Sequence, residues 1–154
     1  MTKHSAGILS FRFRDGEMEV LLAHPGGPLW ANRDDGAWTI PKGLVEANES
    51  CLDAAKREFE EEVGFEPKGN FLDLGEIKQP SGKVIHIWAL EGNFDVAKFK
   101  SNMFEMEWPI HSGKIREYPE IDKVGWFKLK DAEKKILKGQ IDFIKRLKEV
   151  LKIA

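Results

Sequence analysis

A single cysteine, Cys51, stands among 154 residues. That excludes an internal disulfide, and with it a disulfide-stapled secreted scaffold; a reducing compartment is expected. No apolar run approaches the ~18 residues of a membrane span. The opening MTKHSAGILSFRFRDG has neither the apolar stretch nor the small-residue cleavage site of a secretory signal. A cytoplasmic protein with no membrane partner is the expectation. An excess of one charge is also missing: 24 Lys and Arg face 26 Asp and Glu, a net −2. No global basic field therefore points to a polymeric nucleic-acid partner. Repeats, low-complexity tracts and linkers are absent too, so residues 1–154 read as one domain.

What the chain does contain is a succession of clear periods. AGILSFRF and MEVLLAH read as strands joined by RDGE. PGGPLWANRDDG is a loop by composition, and AWTI a short strand stopped by Pro41. From Ser50 to Val63 the apolar residues Leu52, Ala55, Phe59 and Val63 recur at helical steps. Ser50 or Asn48 is the expected N-cap, and Gly64 the stop. NFLDLGEIKQ and KVIHIWALEG form two more strands about a PSG turn. MFEMEW alternates, which puts Phe104, Met106 and Trp108 on one face. DKVGWFKL is a last strand, DAEKKIL a short helix and QIDFIKRLKEVLKI an amphipathic closing helix. Together these predict a mixed α/β domain with helices covering the sheet.

The helix ending REFEEEVG is electrostatically odd. A helix C-terminus carries partial negative charge, yet Glu58, Glu60, Glu61 and Glu62 crowd there. At about 100° per residue, Glu58, Glu61 and Glu62 share a face apart from the apolar stripe, while Glu60 points elsewhere. Three carboxylates a turn apart titrate as a coupled set, and a hard divalent cation relieves their repulsion. All-oxygen donors favour Mg²⁺ or Mn²⁺ over zinc, and the four histidines show no metal-site spacing.

The neighbours sharpen this reading. Gly43, Glu49, Arg57, Glu58, Phe59, Glu61, Glu62, Gly64 and Phe65 fill the pattern G-x5-E-x7-R-E-U-x-E-E-x-G-U, with U a bulky apolar residue. Residues 43 to 65 thus resemble the Nudix box, and the chain is similar to the Nudix hydrolases. The resemblance implies an α/β/α sandwich around a mixed β-sheet. It also implies Mg²⁺- or Mn²⁺-dependent hydrolysis of a nucleoside diphosphate linked to another group. Glu58, Glu61 and Glu62 match the family's metal-ligand positions. Arg57 and Glu49 match a salt-bridged pair that orients loop and helix. Gly43 allows a tight turn, and a carbonyl near it can also bind metal. The general base is expected at Glu62 or Glu61, with Glu120 on a later loop as the next choice.

Lys42, directly before the box glycine, is expected to face substrate phosphate. Trp38 and Phe104 are candidates for stacking a nucleobase at ~1–3 kcal/mol, although packing alone could account for either. Pro80 lies where ADP-ribose hydrolases carry a proline, but QPSGK is sufficiently explained as a turn. The tyrosine marking one diadenosine-polyphosphate group is absent. A small nucleotide is the expected partner, either a dinucleoside polyphosphate or a nucleoside triphosphate. ADP-ribose or a nucleotide sugar is the alternative substrate, and a non-catalytic nucleotide-binding module the alternative class.

Overall fold

Asp15 and Gly16 take φ of 53° and 79°, the conformation that a two-residue hairpin turn requires. They fold β1 (His4–Arg14) back onto β2 (Glu17–Pro25), in register from Phe11↔Val20 to Arg14↔Glu17. The computed structural model describes residues 3–152. Towards its start β1 leaves β2 and pairs instead with β3 (Lys42–Leu44), matching Ser5–Gly7 to Leu44–Lys42. The segment before β3 wedges between the splayed strands: Thr39 and Ala23 exchange backbone hydrogen bonds of 2.8 and 2.9 Å, and the Pro41 carbonyl accepts from Ile8 N at 3.2 Å.

This differs from the expected strand over residues 37–40. Trp38 bridges Ile136 while Thr39 bridges Ala23, so consecutive residues pair with different partners and no ladder grows. The strand forms only beyond Pro41.

β5 (Val84–Glu91) lies parallel to β1, β4 (Phe71–Lys78) flanks it antiparallel, and β8 (Ile121–Lys128) pairs antiparallel with β2. The order β4-β5-β1-β2-β8, with β3 beside β1, is a mixed sheet. Alternation along β1 divides the core. Ala6 and Ile8 pack with Ala54, Ala55, Phe59 and Val63 of α1 (Cys51–Val63). Leu9 and Phe11 point to the other face and share a cluster with Phe143, Ile144 and Leu147. These last belong to α3 (Ile141–Val150), which with α2 (Leu129–Lys135) covers that side. Each large side chain fully buried here contributes about 1.5–3 kcal/mol. The result is the expected α/β/α sandwich.

Ser50, not Asn48, is the N-cap of α1, its side chain accepting from Asp53 N at 3.1 Å; Gly64 closes the helix at φ 81°. The closing helix ends at Val150, and Leu151 and Lys152 form a turn, short of the expected extension, whose last residue, Ile153, lies outside the described residues. A second departure is a separate hairpin, β6 (Met103–Glu107) with β7 (Ile115–Pro119). Only β6 carries an apolar alternation that a sequence reading can recognise. Among the described residues no helix is long and apolar enough to cross a membrane.

Candidate active site

The splaying of β1 from β2 brings Gly43 beneath the acidic face of α1. A Cβ on Gly43 would overlap the Glu58 carboxylate, so only glycine admits the helix so close to the strand. One residue earlier, Lys42 N donates to Glu62 Oε1 at 3.2 Å. Arg57 fastens the intervening loop: Nε and Nη2 donate to Glu49 Oε2 and Oε1 at 2.8 and 3.0 Å, and Nη2 also reaches the Leu44 carbonyl at 3.0 Å. Its Nη1 lies between Glu58 Oε1 (2.8 Å) and Glu61 Oε2 (3.2 Å). This fork–fork pairing uses the guanidinium plane, which a lysine lacks.

The charges are strongly perturbed. Burial first, then the Glu58 and Glu120 carboxylates, pushes Glu62 up to about 8, against the hydrogen bond from Lys42 N and the Lys42 ammonium. Burial also raises Glu58, although Arg57 opposes it. Glu120 is raised by burial and by Glu61. Lys42 is lowered by burial and by Lys83, while Glu62 and Glu58 pull it back up. The hydrogen bonds from Arg57 hold Glu49 down at about 2. Glu62 therefore carries a proton near neutrality unless a cation displaces it.

Glu120 comes to the cluster from the far end of the hairpin, immediately before β8. Its backbone N donates to the Asn102 carbonyl at 2.8 Å, and Asn102 N donates to the Glu61 carbonyl at 3.3 Å. The structure thus brings Lys42, Gly43, Glu49, Arg57, Glu58, Glu61, Glu62 and Glu120 together. Phe104 stands beside the site: a Cβ built on Gly27 would be 2.9 Å from its Cζ, and Gly26 N donates to the Glu120 carbonyl at 2.8 Å.

Trp38 is a correction. It is 8% exposed, packed in the core cluster on the opposite face of the sheet from α1. Phe127 and His24 meet its ring edge-on at 4.9 and 5.1 Å, and its Nε1 donates to Asp34 Oδ1 at 2.8 Å. It cannot stack on a ligand at the carboxylates. Glu105 and Glu117 sit exposed on the hairpin.

The metal set also differs from expectation. Among the described residues no three acidic, histidine or cysteine side chains stand close enough to hold a metal ion as they are. Arg57 occupies the space between Glu58 and Glu61, so Glu61 would have to leave Arg57 to join a ligand set. The donor chemistry still fits a hard cation, being all oxygen and partly desolvated. Lys83, beside Lys42, and Asn102 were not singled out by spacing; each arrives from a distant segment, and no local signal marks it.

The fold and this cluster define an α/β/α sandwich with an acidic helix laid over a glycine strand. A model of the NUDIX domain matches residues 1–147, and the chain belongs to the Nudix family. Over 112 residues it is 27% identical to the m7GpppN-mRNA hydrolase of Saccharomyces cerevisiae, covering 71% of this chain and 10% of that protein. Over 56 residues it is 45% identical to the RNA pyrophosphohydrolase of Halorhodospira halophila, covering 36% of this chain and 31% of the other. The chain thus spans from a tenth to about a third of the length of these relatives. Among solved structures, the Ap4A hydrolase of C. elegans superposes with a TM-score of 0.66 at 22% identity, covering 96% of this chain and 98% of that one. The NUDIX domain of Shewanella oneidensis NrtR, complexed with ADP ribose, gives 0.69 at 16% identity, with 98% and 89% covered.

Proposed function

We propose that this chain is a Mg²⁺- or Mn²⁺-dependent pyrophosphohydrolase that cleaves a phosphoric anhydride bond in a nucleotide. The substrate is a dinucleoside polyphosphate or a nucleoside triphosphate. The observation that carries the reading is the convergence of Glu58, Glu62 and Glu120 with Lys42 around Gly43. Relatives and fold neighbours whose names state pyrophosphate or polyphosphate cleavage support the same reaction class.

Glu58, Glu61, Glu62 and the Gly43 carbonyl would hold the metal. A bound divalent cation would neutralise polyphosphate charge and acidify the attacking water. The Lys42 amine would bind a phosphate oxygen. Glu62, Glu61 or Glu120 accepts the water proton. Arg57 and Glu49 hold the β3–α1 loop against the helix, so the carboxylates keep their spacing.

The test is phosphate and nucleotide release with Mg²⁺ or Mn²⁺ on a panel of diadenosine tetraphosphate, nucleoside triphosphates, ADP-ribose and sugar nucleotides. Turnover of an anhydride, abolished by Glu61→Gln without loss of stability, is expected. A preference for ADP-ribose or a sugar nucleotide would move the substrate. Silence with every metal would replace catalysis by a nucleotide-binding role.

A further inference from the structure

The β6–β7 hairpin has two chemically opposite faces. Its register pairs Phe104 with Tyr118, Glu105 with Glu117, Met106 with Arg116 and Glu107 with Ile115. Directly opposed residues point the same way, and the direction alternates along each strand. One face therefore carries Phe104, Tyr118, Met106 and Arg116, continued by Trp108 and Lys114, whose backbones remain paired at 3.0 Å. The other carries Glu105, Glu107 and Glu117 with Met103 and Ile115.

The hairpin that carries the aromatic–basic face is rooted beside the carboxylates. Asn102 and Glu120, the two roots of the hairpin, are hydrogen-bonded to each other at 2.8 Å, and Asn102 to the Glu61 carbonyl. From there it climbs in three rows, about 7 Å apart at the rise of a strand. The first is Phe104 with Tyr118, ring centroids 6.1 Å apart. Met106 with exposed Arg116 follows, then half-buried Trp108 with exposed Lys114. The first row stands against Gly27, next to Gly26, whose N–H donates to the Glu120 carbonyl. The outer rows, a cation and then an aromatic with a second cation, match a phosphate and then another base. The glutamates repel a polyanion from the reverse face, so the ligand has one side to follow.

We infer that this face binds a second nucleobase joined through phosphate to the unit being hydrolysed, so that the hairpin selects two-base substrates over mononucleotides. The inference rests on the pyrophosphohydrolase reading and deepens it. Two sources share this chemistry: a dinucleoside polyphosphate, and the 5′-polyphosphate end of a single-stranded oligonucleotide.

The experiment compares wild type with Arg116→Glu and Trp108→Ala, each checked for an unchanged melting curve. KM and kcat are measured on ATP, diadenosine tetraphosphate and a 5′-triphosphorylated RNA trinucleotide. Equilibrium binding of the dinucleotide pApA and of AMP is measured in EDTA. For at least one two-base substrate, both variants should raise KM about tenfold more than for ATP, with kcat held. Whichever substrate responds names the source. Equal effects on ATP and both two-base substrates, or none on any, would overturn the inference while leaving the hydrolase intact. If no substrate turns over, the hydrolase reading fails, and the pApA arm still decides. Weaker pApA binding in the variants, with AMP unchanged, supports the second-base site; unaltered pApA binding removes it.

Discussion

Glu62 offers the sharpest test of the electrostatic account. Its carboxyl is pushed from 4.5 to about 8, chiefly by burial. A group whose folded value lies above its unfolded one stabilises the protein fully below the unfolded value, and that stability is lost as pH rises through the folded value. At about 1.36 kcal/mol per pKa unit, the loss between about pH 5.5 and pH 8.5 reaches about 3 kcal/mol. Water entering the open side of the cluster softens the burial, so about 1–3 kcal/mol is expected for the metal-free protein.

Glu62→Gln removes the charge but keeps an oxygen to accept from Lys42 N. Urea unfolding in EDTA, followed by tryptophan fluorescence, gives the difference between wild type and variant at the two pH values. The variant should be the more stable protein by a margin that widens from the lower pH to the higher, while losing hydrolysis. Mg²⁺ at the higher pH should restore wild type and leave Glu62→Gln unmoved. If the wild-type and variant profiles run parallel, Glu62 is not a desolvated carboxylate.

Three further perturbations follow from the same geometry. Arg57→Lys cannot reproduce the paired contacts to Glu49 at 2.8 and 3.0 Å; kcat should fall at least about tenfold, with about 1–2 kcal/mol of stability lost in a denaturation curve. Gly43→Ala places a methyl in the Glu58 carboxylate. It should cost about 1–3 kcal/mol and weaken Mn²⁺ binding by calorimetry, whereas unaltered binding would place the metal elsewhere. Trp38→Ala, in the core and away from the carboxylates, should destabilise by about 3–5 kcal/mol. The folded fraction should keep its KM; a raised KM at unchanged stability would return Trp38 to the substrate site.

Local geometry was legible in the residue pattern alone. Apolar steps of three and four residues define α1, and the same helical pitch gathers Glu58, Glu61 and Glu62 on one face. Ser50 and Gly64 mark its ends, because capping and left-handed closure depend on residues within a turn of each other. Strand alternation likewise placed Phe104, Met106 and Trp108 together. Even the reason for Gly43 could be approached from its spacing, though not the carboxylate that demands it.

What distant segments bring to the site depends on how the chain packs. Trp38 faced the opposite layer because consecutive residues there pair with different partners, Ile136 beyond α2 and Ala23 of β2, an outcome of long-range pairing that no local pattern carries. β7 exists because β6 offers it a partner; Ile115–Pro119 is too charged and short to announce itself. Glu120 reaches the box helix through Asn102, and Arg57 rather than a third carboxylate stands beside Glu58 and Glu61. Periodicity fixes which side chains share a face within an element. Which faces meet depends on long-range pairing, whose energy comes from burial shared across the chain.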